Sequence, residues 1–204
     1  MGGWHHITGI TAYLPKANVD TDQLIPARFM SVPRSEGYGD YLLYDQRRDA
    51  DGQLDTRFPL NTDKSPSVLI AERNFGSGSS REAAVYALVD AGFQAVIAPS
   101  FGDIFSSNAV NNGLLPLRLD EQDHAELVAC HKAHPDLPTE IDLDTCQLRL
   151  GSFERDFMLD ETWRLKLING WDDIDMTQQH LSSIEGYRKR ACNITPWAWP
   201  SGVK

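Results

Sequence analysis

The segment Asn74-Phe75-Gly76-Ser77-Gly78-Ser79-Ser80-Arg81-Glu82 gathers residue types that can do chemistry at close spacing. Glycines at 76 and 78 let a backbone turn sharply and approach a bound group closely. Arg81 adds a planar, two-pronged donor matched to a carboxylate or phosphate. The segment follows the unbroken apolar run Val68-Leu69-Ile70-Ala71 and precedes a helix-forming run from Ala83 to Ala91, closed by Gly92. It is therefore expected to join a buried strand to a helix, where open α/β sheets place their ligands. The free N–H groups and positive dipole end of such a helix favour an anion. A competing reading takes Ser79-Ser80-Arg81-Glu82 as an S-x-x-E capping box. Capping explains Ser79 and Glu82 but leaves two glycines and an arginine without a reason, so the anion site is the stronger reading. The loop has neither G-x-G-x-x-G nor the Lys-Ser/Thr that closes a P-loop.

A second cluster, Asn18-Val19-Asp20-Thr21-Asp22, is followed by Arg28 and Arg34. Asp20 and Asp22 could bind a cation, orient a catalytic group or cap a turn. His5, His6, His124, His131, His134 and His180 lie at the start of the chain or on helix faces, where solvated or capping roles are expected rather than ligation. Cys130, Cys146 and Cys192 are widely spaced with no C-x-x-C, as reduced thiols would be, and this chain is expected to hold no zinc or iron–sulfur centre. The tail from Thr195 to Lys204, with Trp197 and Trp199, reads as a lid or a partner contact.

The elements that must position these residues follow from apolar patterning. Ile7–Leu14 is read as a first strand, and residues 31–64, dense in Gly, Pro, Asp and Arg, as a long and partly irregular excursion. Ala95–Ala98 and Leu114–Leu119 continue the strands, with a short helix expected near Phe101–Asn108. Asp120–His134 is an amphipathic helix stopped by Pro135. This strand–helix alternation implies a parallel sheet with right-handed crossovers. Beyond Pro138, three short stretches near 140–143, 147–150 and 155–159 look antiparallel, and Glu161–Asn169 and Thr177–Arg190 read as helices. The fold class is α/β, a mainly parallel core with an antiparallel appendage, in one domain over residues 1–204 with 195–204 as a tail. A chain of 204 residues buries roughly 70% of its unfolded surface and needs no staple. Its net charge of −10 opposes nucleic acid and anionic membranes as partners. No apolar run spans a bilayer and residues 1–15 lack a signal-peptide pattern, so a soluble, cytoplasmic protein is expected.

Three stretches then carry a resemblance. Asn18-Val19-Asp20-Thr21-Asp22-Gln23-Leu24-Ile25-Pro26, the loop Asn74–Glu82, and Ala98–Phe105 through Asn112-Gly113-Leu114-Leu115-Pro116 are similar to the small subunits of 3-isopropylmalate dehydratase, a family resembling the swivelling domain of aconitase. Asn169-Gly170 and Thr177-Gln178-Gln179-His180 extend the likeness towards the end of the chain. The resemblance implies a swivelling β/β/α fold and a hydro-lyase of two chains. It places a four-iron four-sulfur cluster, a Lewis acid for a small diacid substrate, on a large partner subunit. It implies that Ser79 is the base that takes a proton from carbon, that Ser80 and Arg81 contact substrate carboxylate, and that Asp22 lies at the catalytic centre. Arg34 falls in the region that reads the variable part of the substrate. Two positions depart from the family pattern: Ser77 replaces a usual cysteine, and Ala83 a histidine. With Val85-Tyr86 after them, they keep open a paralogue for citraconate, methylmalate or dimethylmalate, and a non-catalytic anion-binding subunit is a third reading. Retention of Ser79 and Asp22 beside Arg81 favours catalysis, since a mere binder needs only the arginine.

Overall fold

The apolar runs that follow the first strand become a sheet buried on both faces. In the computed structural model, which describes residues 2–199, β2 (Thr11–Leu14), β3 (Val68–Ala71), β4 (Ala95–Ala98) and β5 (Leu115–Arg118) pair in parallel in that order. Successive strand residues face opposite sides. Leu69, Ala71, Val96 and Ala98 enter one hydrophobic cluster, and Val68, Ile70, Ala95 and Ile97 enter another. Two-sided burial is why these strands read as continuous apolar runs instead of alternating ones.

The crossovers are helical. α3 (Glu82–Asp90) links β3 to β4, and α4 (Asp103–Asn111) links β4 to β5. On the first cluster's side, α3 packs against α4 and against α1 (Thr21–Leu24). α5 (Glu121–Ala133) begins as its sequence requires: Asp120 caps it by accepting the Asp123 N–H at 2.8 Å, and the chain turns out of it before Pro135.

The antiparallel part is a sheet of its own. β1 (His6–Gly9), β6 (Thr139–Asp142), β7 (Gln147–Leu150) and β8 (Phe153–Asp156) pair in that order, and their inward residues Ile7, Ile141, Leu148 and Leu150 join the second cluster. The stretch 7–14, expected as one strand, is therefore two. It passes from the antiparallel sheet to the edge of the parallel one at Ile10, because its two ends find different partners, β6 and β3.

Two other expectations are corrected and a third is extended. The final helix is broken into α7 (Asp173–Gln178) and α8 (Leu181–Ile194), with α7 opened by a capping box between Asp172 and Asp175. α6 (Glu161–Asn169) precedes them and ends at Gly170 in the left-handed region. The excursion 31–64 is irregular as expected, with 3₁₀ turns at Arg34–Glu36 and Gly39–Tyr41 and a single turn of helix α2 (Tyr44–Arg47), yet it inserts Tyr38, Leu42, Leu43 and Leu60 into the core. His124 and His131, expected in solvated or capping roles, are buried. The tail contains a 3₁₀ turn at Pro196–Ala198 with Trp197 81% exposed; residues 200–204 lie outside the described residues.

Candidate functional site

Three loops meet beyond the carboxyl ends of β2, β3 and β4. The Asn18–Asp22 loop is stitched to the Asn74–Arg81 loop by backbone bonds: Gly76 N–H donates to the Val19 carbonyl at 2.7 Å, and Thr21 N–H to the Ser77 carbonyl at 2.9 Å. The loop leading into α4 joins in the same manner, with Phe75 N–H on the Ser100 carbonyl and Gly102 N–H on the Phe75 carbonyl. Gly76 has φ +70°, and a Cβ there would come within 2.2 Å of the Phe105 ring, so no other residue fits. Phe105 in turn packs edge-on against Phe75, which fixes the loop to the core.

Asp20 and Asp22 have different tasks. Asp20 caps α1, its side chain accepting the Gln23 N–H at 2.7 Å. Asp22 points the other way and forms an ion pair with Arg81. Arg81 also donates from Nε to Ser79 Oγ at 3.0 Å, and its Nη1 lies 3.8 Å from the Met30 sulfur. The structure thus brings Ser79, Arg81 and Asp22 into one contact set, with Ser80 exposed next to them.

The capping-box alternative does not form. The N-cap of α3 is Arg81, with no side chain bonded to the helix start. Glu82 instead accepts from Asn112 Nδ2 at 2.9 Å, and burial, with Glu82 nearby, pushes the Tyr86 hydroxyl above the usual phenol range. The first turn of α3 is left open, and so is that of α4, whose cap is Gly102. Both helix starts border the same cavity of about 190 Å³, lined by Ser79, Arg81, Thr21, Gly78, Ile104 and Asn108 among others. Two open N-termini and a guanidinium can receive an anion there, with Asp103 also on the wall.

Arg34 is placed elsewhere. Its guanidinium pairs with Asp90 and lies 4.0 Å over the Tyr86 ring, and it does not line the Ser79 cavity. Arg28 pairs with Asp45 and covers the Phe29 ring. Sequence reasoning missed Thr21, whose Oγ1 donates to the Ser79 carbonyl at 2.9 Å, and the α4 residues Ile104 and Asn108. A signal existed for the second: Ala98-Pro99-Ser100-Phe101-Gly102-Asp103 repeats the strand–glycine–helix order of the first loop.

The cysteines do not converge on a cluster cradle. Cys130 on α5 contacts the Leu150 carbonyl, Cys146 lies in the β6–β7 turn against Leu143, and Cys192 is on α8. Among the described residues the group with metal-ligand spacing is His6, Asp142 and Asp144 on the outer surface of the antiparallel sheet, and it contains no cysteine. The residues present therefore do not fit an iron–sulfur cluster.

Comparison with known proteins gives the family of the chain. Residues 1–122 match the family described as the aconitase C-terminal domain. The chain is 44% identical over 186 residues to the 3-isopropylmalate dehydratase small subunit of Rhodopirellula baltica, covering 89% of this chain and 94% of that one. It is 41% identical over 184 residues to the small subunit of Shouchella clausii, covering 89% and 93%. A crystal structure of 3-isopropylmalate dehydratase from Methanocaldococcus jannaschii superposes with a TM-score of 0.64 at 26% identity, over 89% of this chain and 99% of that one. With identity at this level running almost end to end, the chain belongs to the family of 3-isopropylmalate dehydratase small subunits, built on the aconitase C-terminal domain.

Proposed function

We propose that this chain is the small subunit of a cytoplasmic hydro-lyase that isomerises 2-isopropylmalate and 3-isopropylmalate by dehydration and rehydration, a step of leucine biosynthesis. The observation that carries the reading is the single guanidinium of Arg81 joining Ser79 Oγ to Asp22 at the mouth of two open helix starts. A serine alkoxide is a strong base that water populates very little. A donor on Oγ and the positive ends of two helices lower its cost. Ser79 takes the proton from the substrate carbon and returns one to the neighbouring carbon after the unsaturated diacid has turned over. Arg81 spends Nε and Nη1 on Ser79, Asp22 and Met30, so Nη2 is left to engage a substrate carboxylate, with Ser80 beside it. Asp22 holds the guanidinium in that orientation. A four-iron four-sulfur cluster on a large partner subunit would supply the Lewis acid that this chain does not hold.

The test is reconstitution. The purified chain should be colourless and inactive alone, and should turn over isopropylmalate when mixed with the large subunit from the same genome. Hydratase activity or iron–sulfur absorbance in the isolated chain would overturn the division of labour. Faster turnover of methylmalate or dimethylmalate by the pair would overturn the substrate.

A further inference from the structure

The loop that carries Ser79 has three residues at positive φ, Asn74 at +59° and the glycines Gly76 at +70° and Gly78 at +97°. Glycine at such positions has wide conformational freedom, so the loop's own backbone does not hold Ser79 in one place. Helix α1 does. Thr21, at its first position, is 2% exposed. Its N–H donates to the Ser77 carbonyl at 2.9 Å and its Oγ1 to the Ser79 carbonyl at 2.9 Å. These two bonds straddle Gly78, whose missing Cβ would lie 3.6 Å from Thr21 Oγ1. A threonine hydroxyl suits the task because branching at Cβ stiffens χ1. The bond is half-buried, so the Ser79 carbonyl that loses this donor is only partly repaid by water. The next residue, Asp22, orients Arg81, which donates to Ser79 Oγ. Ser79 is therefore gripped at its carbonyl by Thr21 and at its hydroxyl, through Arg81, by Asp22.

We propose that Thr21 is a positioning residue for Ser79: its hydroxyl pins the glycine-flanked loop so that Oγ meets the substrate carbon in register. This rests on the reading of Ser79 as the base. The expected loss follows from geometry, since a misplacement of about 1 Å in a reacting group can cost on the order of a hundredfold in rate.

The experiment compares Thr21→Val, which keeps the shape and removes the donor, with Thr21→Ser, which keeps the donor, and runs Ser79→Ala in parallel. In the reconstituted two-subunit enzyme, Thr21→Val should lower kcat by about ten- to a hundredfold with KM within about twofold, and Thr21→Ser should stay within about twofold of wild type. In the isolated chain, exchange of the amides that tie the two loops, Gly76 N–H and the N–H of residue 21, should accelerate by about tenfold or more in Thr21→Val and not in Thr21→Ser. Wild-type kcat for Thr21→Val beside an inactive Ser79→Ala would overturn the positioning role while leaving Ser79 as base. A Ser79→Ala enzyme that stays active would instead overturn the base, and the exchange measurement would then decide the tether alone. Unchanged exchange at Gly76 and residue 21 overturns the proposal in every case. If the valine variant melts far below wild type, Thr21→Ala, which cuts the tether without burying a new methyl group, replaces it in both assays.

Discussion

Ser79 Oγ lies 3.0 Å from Arg81 Nε, and the same guanidinium is paired with Asp22 from the other loop. The relationship separates the two roles that Ser79 could have had. A capping serine would bond the helix start, and this one bonds the guanidinium instead, with Arg81 itself at the N-cap. Ser79→Ala should therefore cost less than the roughly 1 kcal/mol of a lost cap. It should lower kcat of the reconstituted enzyme by several orders of magnitude, with Ser80→Ala milder. A Ser79→Ala enzyme turning over at more than roughly a tenth of the wild-type rate, a barrier change under about 1.4 kcal/mol, would place the base elsewhere.

Arg81→Lys keeps the charge and loses the fork. An ammonium cannot hold Ser79 Oγ, Asp22 and a carboxylate at once in one plane. The expected outcome in steady-state kinetics is a substantially raised KM together with a fall in kcat, because the lost Nε contact is to the base itself. Kinetics indistinguishable from wild type would remove Arg81 from the site.

The excursion 31–64 should not move as one piece. Asp90 accepts the Tyr38 N–H at 2.7 Å and pairs with Arg34, and Leu42 and Leu43 are fully buried, with Leu43 N–H on the Leu24 carbonyl. Hydrogen exchange on the isolated chain should show slow amides at Tyr38 and Leu43 and fast ones across the exposed turn at 49–53. Asp90→Asn should release Tyr38 without changing Leu43. Equal exchange at all these sites would contradict this division.

His131 gives a pH signature. Its Nδ1 is buried without a partner, and burial pushes the imidazole below the usual histidine range. A lowered value in the fold means that the unfolded chain binds more protons once pH drops below about 6.5, so stability is present above that value and declines as pH falls through the lowered one. Denaturation midpoints at pH 7.5 and 5.5 should fall less between the two conditions in His131→Gln than in wild type. Identical pH dependence in both proteins would show that His131 titrates alike folded and unfolded.

What the sequence made legible was local. Val68–Ala71 and Ala95–Ala98 announced buried strands because a parallel strand covered on both faces has no polar side to alternate with. Asp120 announced α5 through a cap that needs only Asp123. The glycine loop could be placed between a buried strand and a helix because strand, turn and helix are contiguous. The failures were contacts across the chain. Glu82 is drawn from its expected capping partner by Asn112, thirty residues on. His124 looks like a surface histidine until Ala71, fifty-three residues before it, supplies a carbonyl at 2.8 Å. Arg34, which the resemblance assigns to the substrate-reading region, has its guanidinium held to α3 by Asp90 and Tyr86, which its own stretch of sequence does not announce. Thr21 could not have been singled out, since its task depends on a backbone oxygen fifty-eight residues away.

The passage of residues 6–14 from one sheet to the other also bears on how the chain comes apart. β1 is an edge strand of the antiparallel sheet and β2 an edge strand of the parallel one, joined at Ile10. The other antiparallel strands lie at 139–156, beyond residue 122, where the domain match ends. A fragment stopped there would keep all four parallel strands and leave Ile7 and the faces of Val68, Ile70 and Ile97 without their cover. The two sheets thus share a selvage: neither can fray without unpicking the other, and the protein should melt in one cooperative transition instead of sheet by sheet.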